Sequence, residues 1–298
     1  MNFIEVQWLH DETSHKEALK KLLGCSGQLI KKYFKSQDQD RAIRAKDISR
    51  LPLEFANHLS INPVFQGALP IVLSENDNIL ALHKPPELHC HPLSYTDQDT
   101  LLNFLVTKNI WSPLLVNQQQ YDRGLLYRLD YETSGIILLA KNQKTFDEIR
   151  TNFQSRMKQK IYWAIVEGDF DREGSWSHYF TATGPQGSKQ KVSLDALKAD
   201  SHEGSLTVKK LMFADNKSLL MIKLGTGLRH QIRAQLAALG YPLIGDELYG
   251  GVKAERLFLH AFRYESDEVF EDIIAELFDR SFDLNRALQM SHDMLRRL

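Results

Sequence analysis

One carboxylate stands out by its setting. Asp130 lies in Arg128-Leu129-Asp130-Tyr131-Glu132-Thr133-Ser134-Gly135, and the apolar run Ile136-Ile137-Leu138-Leu139-Ala140 follows at once. In an extended chain successive side chains alternate faces, so Arg128 and Asp130 project on the same side. Thr-Ser-Gly is turn chemistry, and the run behind it reads as a buried strand. A carboxylate held on a tight turn beside a fixed cation can attack an electrophilic carbon, leave again later, or accept a proton. The same residues also fit a turn aspartate that only bonds its own backbone, and an Arg128 that pairs with Glu132.

A second constellation follows Thr226-Gly227. The pattern predicts a helix over 229–239, with Arg229 and Arg233 four residues apart on one face near its start. Cations at a helix N-terminus are disfavoured by about 0.3–1 kcal/mol each. Two together imply an anion nearby, a carboxylate or a phosphate, unless both serve surface salt bridges. Tyr162 lies on a predicted strand over 161–167, pointing opposite to Trp163, where a tyrosine is ordinarily a core residue with a bonded hydroxyl. His89-Cys90-His91 lacks the second Cys or His pair that zinc-finger spacing requires. Gly184-Pro185-Gln186-Gly187-Ser188-Lys189 falls short of phosphate-loop spacing, and Gly225-Thr226-Gly227 lacks the third glycine of a dinucleotide site.

These residues need a sheet to hold them. Strands are predicted over 79–83, 135–141, 161–167, 206–213, 219–224 and 257–262, and helices over 101–106, 145–153, 229–239 and most of 269–298. Strands with helices inserted between only some of them indicate an α+β fold with a mixed, largely antiparallel sheet. Residues 1–65 read as a small helical domain and 66–298 as the larger one, joined by a linker over 63–70. In the small domain, helices over 14–23 and after Ser26, separated at Gly24, place Lys31, Lys32 and Lys35 outward. That lysine row suits either phosphate contacts or an ordinary solvated face.

The 298 residues, 43% hydrophobic and 25% charged, are those of an ordinary globular protein. No apolar run approaches the roughly 20 residues that span a bilayer. The opening residues lack a signal-peptide pattern, and Cys25 and Cys90 are too few for a disulfide framework, so a cytoplasmic protein is expected. Net charge is −1, but residues 264–298 hold nine acidic and four basic side chains, leaving +4 on the rest. Charge alone therefore neither requires nor excludes a nucleic-acid partner.

The Asp130 segment resembles the His-Arg-Leu-Asp-x-x-Thr-Ser-Gly motif of the RluA-type pseudouridine synthases. Further blocks resemble that family in order. They are Lys84-Pro85-Pro86-Glu87-Leu88 with His91-Pro92, Lys160-Ile161-Tyr162, Thr226-Gly227-Leu228-Arg229-His230-Gln231-Ile232-Arg233, Gly240 to Gly250, and Leu259-His260-Ala261. The resemblance covers residues 78–263. It implies the pseudouridine synthase fold preceded by a small α-L-like RNA-binding domain, and isomerisation of uridine in structured RNA without cofactor or metal. Ribosomal RNA is the expected partner ahead of transfer RNA, with no membrane partner and a monomeric enzyme. By motif position Asp130 is the catalytic residue, Arg233 its cationic partner and Tyr162 the ring that stacks on the target base. Arg128, Arg229, Lys84, His230 and Gln231 are the RNA-binding positions, Arg128 acting as the wedge that replaces an extruded base. Departures are Tyr127 in place of His, Leu228 in place of Arg and Glu87 in place of Gly. Two other readings remain open from sequence: a non-catalytic RNA-binding or ribosome-assembly protein of the same fold, and a nucleoside hydrolase that recruits Glu132 as the second acid or base needed to activate water.

Overall fold

The computed structural model describes residues 3–23, 27–52, 55, 61–93, 96–117, 120–151, 159–185, 188–194, 201–265, 269–271 and 282–295. The breaker Gly24, Cys25 and the centre of the 184–189 loop lie outside them. The chain divides into two compact units: residues 1–80, 88–128 and 138–150 form one, and residues 81–87, 129–137 and 151–298 the other.

In the first unit, β1 (Phe3–Gln7) pairs antiparallel with β2 (Ile48–Pro52). Between them run α1 (His15–Leu23), α2 (Gly27–Tyr33) and the short α3 (Ser36–Gln39). The Ser14 hydroxyl accepts from the Glu17 amide at 3.2 Å, capping the otherwise unsatisfied start of α1. Trp8, Ala18, Leu19, Ile30, Ile43, Leu51 and Phe55 form a core of their own beneath these helices. The unit also carries β3 (Ile71–Glu75), α4 (Leu101–Thr107), α5 (Ser112–Leu115) and α6 (Gln143–Thr151).

The second unit is built on a sheet. Its strands lie in the order β4 (Ile79–Lys84), β5 (Ser134–Ala140), β11 (Leu259–Glu265), β6 (Gln159–Glu167), β10 (Lys217–Leu224), β9 (His202–Ala214), β7 (Gly174–Thr183) and β8 (Lys189–Ser193). The β12 strand (Val269–Glu271) adds to β11. β5 and β11 run parallel, while β11–β6, β6–β10, β10–β9, β9–β7 and β7–β8 are antiparallel. This is the mixed, mainly antiparallel α+β arrangement expected. β5 is buried at every position, which explains its unbroken apolar run. Gly135 (φ +114°) starts it because a Cβ there would collide with the Ala261 backbone of β11.

Two expectations are corrected. The helix after Thr226-Gly227 is α7 (Gln231–Ala238) and starts later than predicted, because His230 adopts the left-handed conformation (φ 52°, ψ 24°). Arg229 therefore lies before the helix, not one turn below Arg233 on a shared face. Residues 269–271 are strand and the C-terminal helix α8 covers Leu284–Leu295, while 272–281 and 296–298 lie outside the described residues. The strands β1, β2, β3, β7, β8 and β12 were not predicted. The burial of β7 and β8 is irregular and partly exposed, so their sequences carry many polar residues and no clean apolar period.

Candidate active site

The Asp130 turn is pinned on both sides. The Thr133 amide donates to the Asp130 carbonyl at 3.2 Å. The Lys84 ammonium, wholly buried, donates to the carbonyls of Tyr131 (3.1 Å) and Pro85 (2.9 Å). Beyond the turn, the Ser134 hydroxyl lies 2.9 Å from His260 Nδ1 and accepts from Arg256 Nη2 at 2.6 Å. A fully buried lysine is expected to end on oxygen, and here it braces the backbone next to Asp130. Lys84, predicted to contact RNA, is thus a bracing residue.

The Asp130 side chain is about one quarter exposed, at 25%. Arg233 Nη1 lies 3.7 Å from its Oδ2, and His230 Nε2 lies 3.9 Å from its Oδ1. Both are within ion-pair range and beyond hydrogen-bond reach. Among the described residues the carboxylate accepts no side-chain or backbone hydrogen bond, so its lone pairs are unspent. Burial raises the Asp130 pKa above the usual carboxylate value; His230, Arg233 and Arg229 oppose this, and the charge on Glu132 adds to it. Burial also lowers the His230 pKa.

Arg233 is the best-held group of the site. Its Nε and Nη2 donate to the two oxygens of Asp246 at 2.7 and 2.8 Å, and its Nη1 donates to Glu132 at 3.1 Å. Asp246 is wholly buried at the side chain and follows Gly245, whose φ of +83° lets the loop pass against the Arg256 carbonyl. The Tyr249 ring lies 5.6 Å from the Arg233 guanidinium carbon. Its hydroxyl lies 3.1 Å from His230 Nδ1 and accepts from the Gln190 amide at 2.9 Å. One loop therefore fixes both Arg233 and His230, the two neighbours of Asp130.

Tyr162 is buried on β6, with its hydroxyl 2.5 Å from that of Tyr264 on β11. Burial raises its pKa, and the Asp130 charge adds to the rise, so ring and carboxylate share one electrostatic environment. Gln231 is also buried. Its Oε1 accepts from the Thr226 hydroxyl and the Leu228 amide, and its Nε2 donates to the Ser205 carbonyl. It shapes the loop that presents His230 and does not face outward. Arg229 is exposed and reaches Asp130 only through its charge. In the first unit, Arg128 is exposed and bonds Tyr121 and His91, while Glu132, the alternative partner considered from sequence, bonds Arg233. Reading the sequence missed Asp246, Tyr249 and Tyr264. For the first two a signal existed, since they belong to the Gly240–Gly250 block, but no rule of spacing ties them to Asp130. Among the described residues no group of three or more His, Cys, Asp or Glu is placed to hold a metal ion, and no helix is long and apolar enough to cross a membrane.

A family model described as RNA pseudouridylate synthase matches residues 78–238, more than half of the chain. The chain belongs to the RNA pseudouridylate synthase family. Similar family proteins include a ribosomal large subunit pseudouridine synthase D of Borreliella burgdorferi, 34% identical over 67% of this chain and 62% of its own length. Another is a dual-specificity RNA pseudouridine synthase RluA of Vibrio parahaemolyticus, 32% identical over 68% of this chain and 79% of its own. The match thus spans about three fifths of the Borreliella relative, as it does for an uncharacterized Helicobacter pylori RNA pseudouridine synthase at 61%. The solved human RNA pseudouridylate synthase domain containing 1 shares the fold, with a TM-score of 0.57 at 22% identity over 72% of this chain and 86% of its own. Membership in the pseudouridylate synthase family also gives one departure a physical meaning. Glu87 stands where the family motif has Gly and adopts φ 57°, the left-handed conformation that favours glycine.

Proposed function

We propose that this chain is an RNA pseudouridine synthase that isomerises uridine in structured RNA, ribosomal RNA ahead of transfer RNA, with Asp130 as nucleophile or base. The reaction breaks the N1–C1′ bond, turns the base, forms C5–C1′ and moves the C5 proton to N1. Atoms and electrons balance without an oxidant, reductant or second substrate. The observation that carries the reading is the Asp130 carboxylate: one quarter exposed, pinned through its backbone, close to Arg233 and His230 and hydrogen-bonded to neither. Such an oxygen is available to add to an electrophilic carbon or to take a proton. Arg233 opposes the cost of keeping that charge in a low-dielectric site, and its own position is set by Asp246. Tyr162 supplies a ring against which the turned base can lie. The target uridine must leave its stack first, at a cost of a few kcal/mol, and the exposed Arg128 serves as an RNA contact.

Residues 1–65 serve as an RNA-docking domain, supported by the exposed Lys31, Lys32 and Lys35 and by the separate small core beneath them. The test is chemical mapping of pseudouridine in ribosomal and transfer RNA from cells carrying the wild-type gene, no gene, or the Asp130→Asn variant. A ribosomal uridine modified only in the wild type supports the reading. Identical maps in all three strains would overturn it.

A further inference from the structure

Arg128 is an exposed cation with no ion pair among the described residues. It is nevertheless held in place. Its Nη1 donates to the Tyr121 hydroxyl at 3.1 Å and lies 3.4 Å from His91 Nε2, with the guanidinium carbon 5.9 Å from the Tyr121 ring centre. The His91 and Tyr121 rings meet at 4.5 Å, tilted by 56°. His91 is a neutral acceptor here. Burial lowers its pKa to about 4, and Nδ1 lies 3.3 Å from the Pro92 carbonyl, which leaves Nε2 to accept from Arg128. Asp122 feels the Arg128 charge but faces Asn117, and burial pushes its carboxyl toward the neutral form.

Two neutral groups thus hold one edge of the guanidinium through Nη1. Among the described residues Nε and Nη2 make no hydrogen bond, so the opposite edge presents the paired donors that suit a phosphate. Beside it Tyr121 is 40% exposed as a residue, an aromatic side chain next to a fixed cation. A flat ring and a two-donor edge at this spacing match one nucleotide, base on ring and phosphate on edge. We infer that Tyr121, Arg128 and His91 form a nucleotide subsite for the RNA strand, with Tyr121 stacking on one of its bases. This rests on the pseudouridine synthase reading for which uridine is the target. Tyr121 is then an RNA-binding residue: it holds one base of the strand that carries the target.

The test uses full-length protein and a fluorescent eight-residue oligouridylate carrying one 4-thiouridine. Losing a base–aromatic stack weakens binding roughly tenfold, and Tyr121→Leu should do so while Tyr121→Phe, which keeps the ring, restores most of the affinity. Phe213→Leu, which removes an exposed aromatic from the other unit, is the control for a general loss of apolar surface. Light-induced cross-links from the 4-thiouridine should map to Tyr121 or His91. In turnover on ribosomal RNA the Tyr121→Leu loss should fall on KM more than on kcat. Unchanged oligouridylate affinity in Tyr121→Leu, or no oligouridylate binding by the wild type, overturns the subsite. Equal competition by uridine 5′-monophosphate and by the octamer overturns the assignment to an RNA strand. Ring-dependent binding without pseudouridine formation on any RNA keeps the subsite and sinks the catalytic reading instead.

Discussion

Arg233 is bonded to Asp246 at 2.7 and 2.8 Å, whereas it approaches Asp130 only to 3.7 Å. The cation is thus clamped by the buried Asp246 carboxylate, and offers its remaining edge to Glu132 and Asp130. This arrangement fixes the electrostatic partner of Asp130 without consuming the Asp130 lone pairs. It also keeps Arg233 charged, since Asp246 raises its pKa further against the opposing effect of burial.

Asp246→Asn should therefore act at a distance. Breaking one side of a buried ion pair costs about 3–5 kcal/mol, to be read by urea unfolding. Activity at permissive temperature should fall in kcat, because Arg233 loses its fixed direction. The double variant Asp246→Asn with Arg233→Gln should be more stable than the sum of the single losses. Additive losses would mean that the pair is not coupled. Arg233→Ala should likewise cost far more activity than Arg229→Ala, as Arg229 is exposed and reaches the carboxylate only through its charge.

Asp130→Asn should abolish turnover and leave the fold as stable as before, or slightly more so. The leading influence on this carboxyl is burial, which penalises the ionised form, and an amide avoids that penalty. Thermal unfolding and pseudouridine mapping on one preparation check both halves. A large drop in Tm would show that the carboxylate serves the fold.

How much of this was readable beforehand depends on the range of each interaction. The buried strand after Asp130 follows from local rules and is found, but Ser134 and Gly135 are its first two residues, so the bend falls earlier, at Tyr131 and Glu132. The α7 start was misread because the Gln231 side chain, folded back onto Leu228 and Thr226, forces His230 into a left-handed conformation that no periodicity signals. The Arg233–Asp246 pair joins residues 13 apart across a loop, and Tyr162–Tyr264 joins residues 102 apart on neighbouring strands. Strand pairing creates such contacts, and spacing along the chain does not encode it.

Glu132→Gln should move the acid limb of the pH–rate profile to lower pH. The Glu132 charge raises the Asp130 pKa directly, and its bond to Arg233 Nη1 draws that cation's donor away. Removing the charge lowers the Asp130 pKa by both routes, so the reactive carboxylate persists to lower pH. Single-turnover rates across the acid range provide the measurement. A limb that stays fixed would assign it to another group.

Stability should fall as pH drops from about 6.5 to about 4. His83 is buried, and burial, with Arg256 and Lys84 nearby, lowers its pKa from 6.5 to about 4. Above 6.5 neither folded nor unfolded chain protonates it. Between the two values only the unfolded chain does, so unfolding gains; below 4 the loss is complete, at about 3 kcal/mol. His91 shares the window but is partly exposed and contributes less. His83→Phe should flatten the decline in urea-unfolding free energy across this range, and an unchanged slope would remove His83 as its source.

Replacing Lys31, Lys32 and Lys35 together by Gln should weaken RNA binding and spare the chemical step. All three are exposed on or just after α2, where substitution leaves the small core untouched. Each phosphate contact releases counterions, contributing about 0.7 to the slope of log K against log salt for a single strand. Three lost contacts should make that slope shallower by about 2, with little change in single-turnover rate at saturating RNA. A slope that does not change would leave residues 1–65 without an RNA-docking role, and a collapsed rate at saturation would place these lysines in the assembly of the active site.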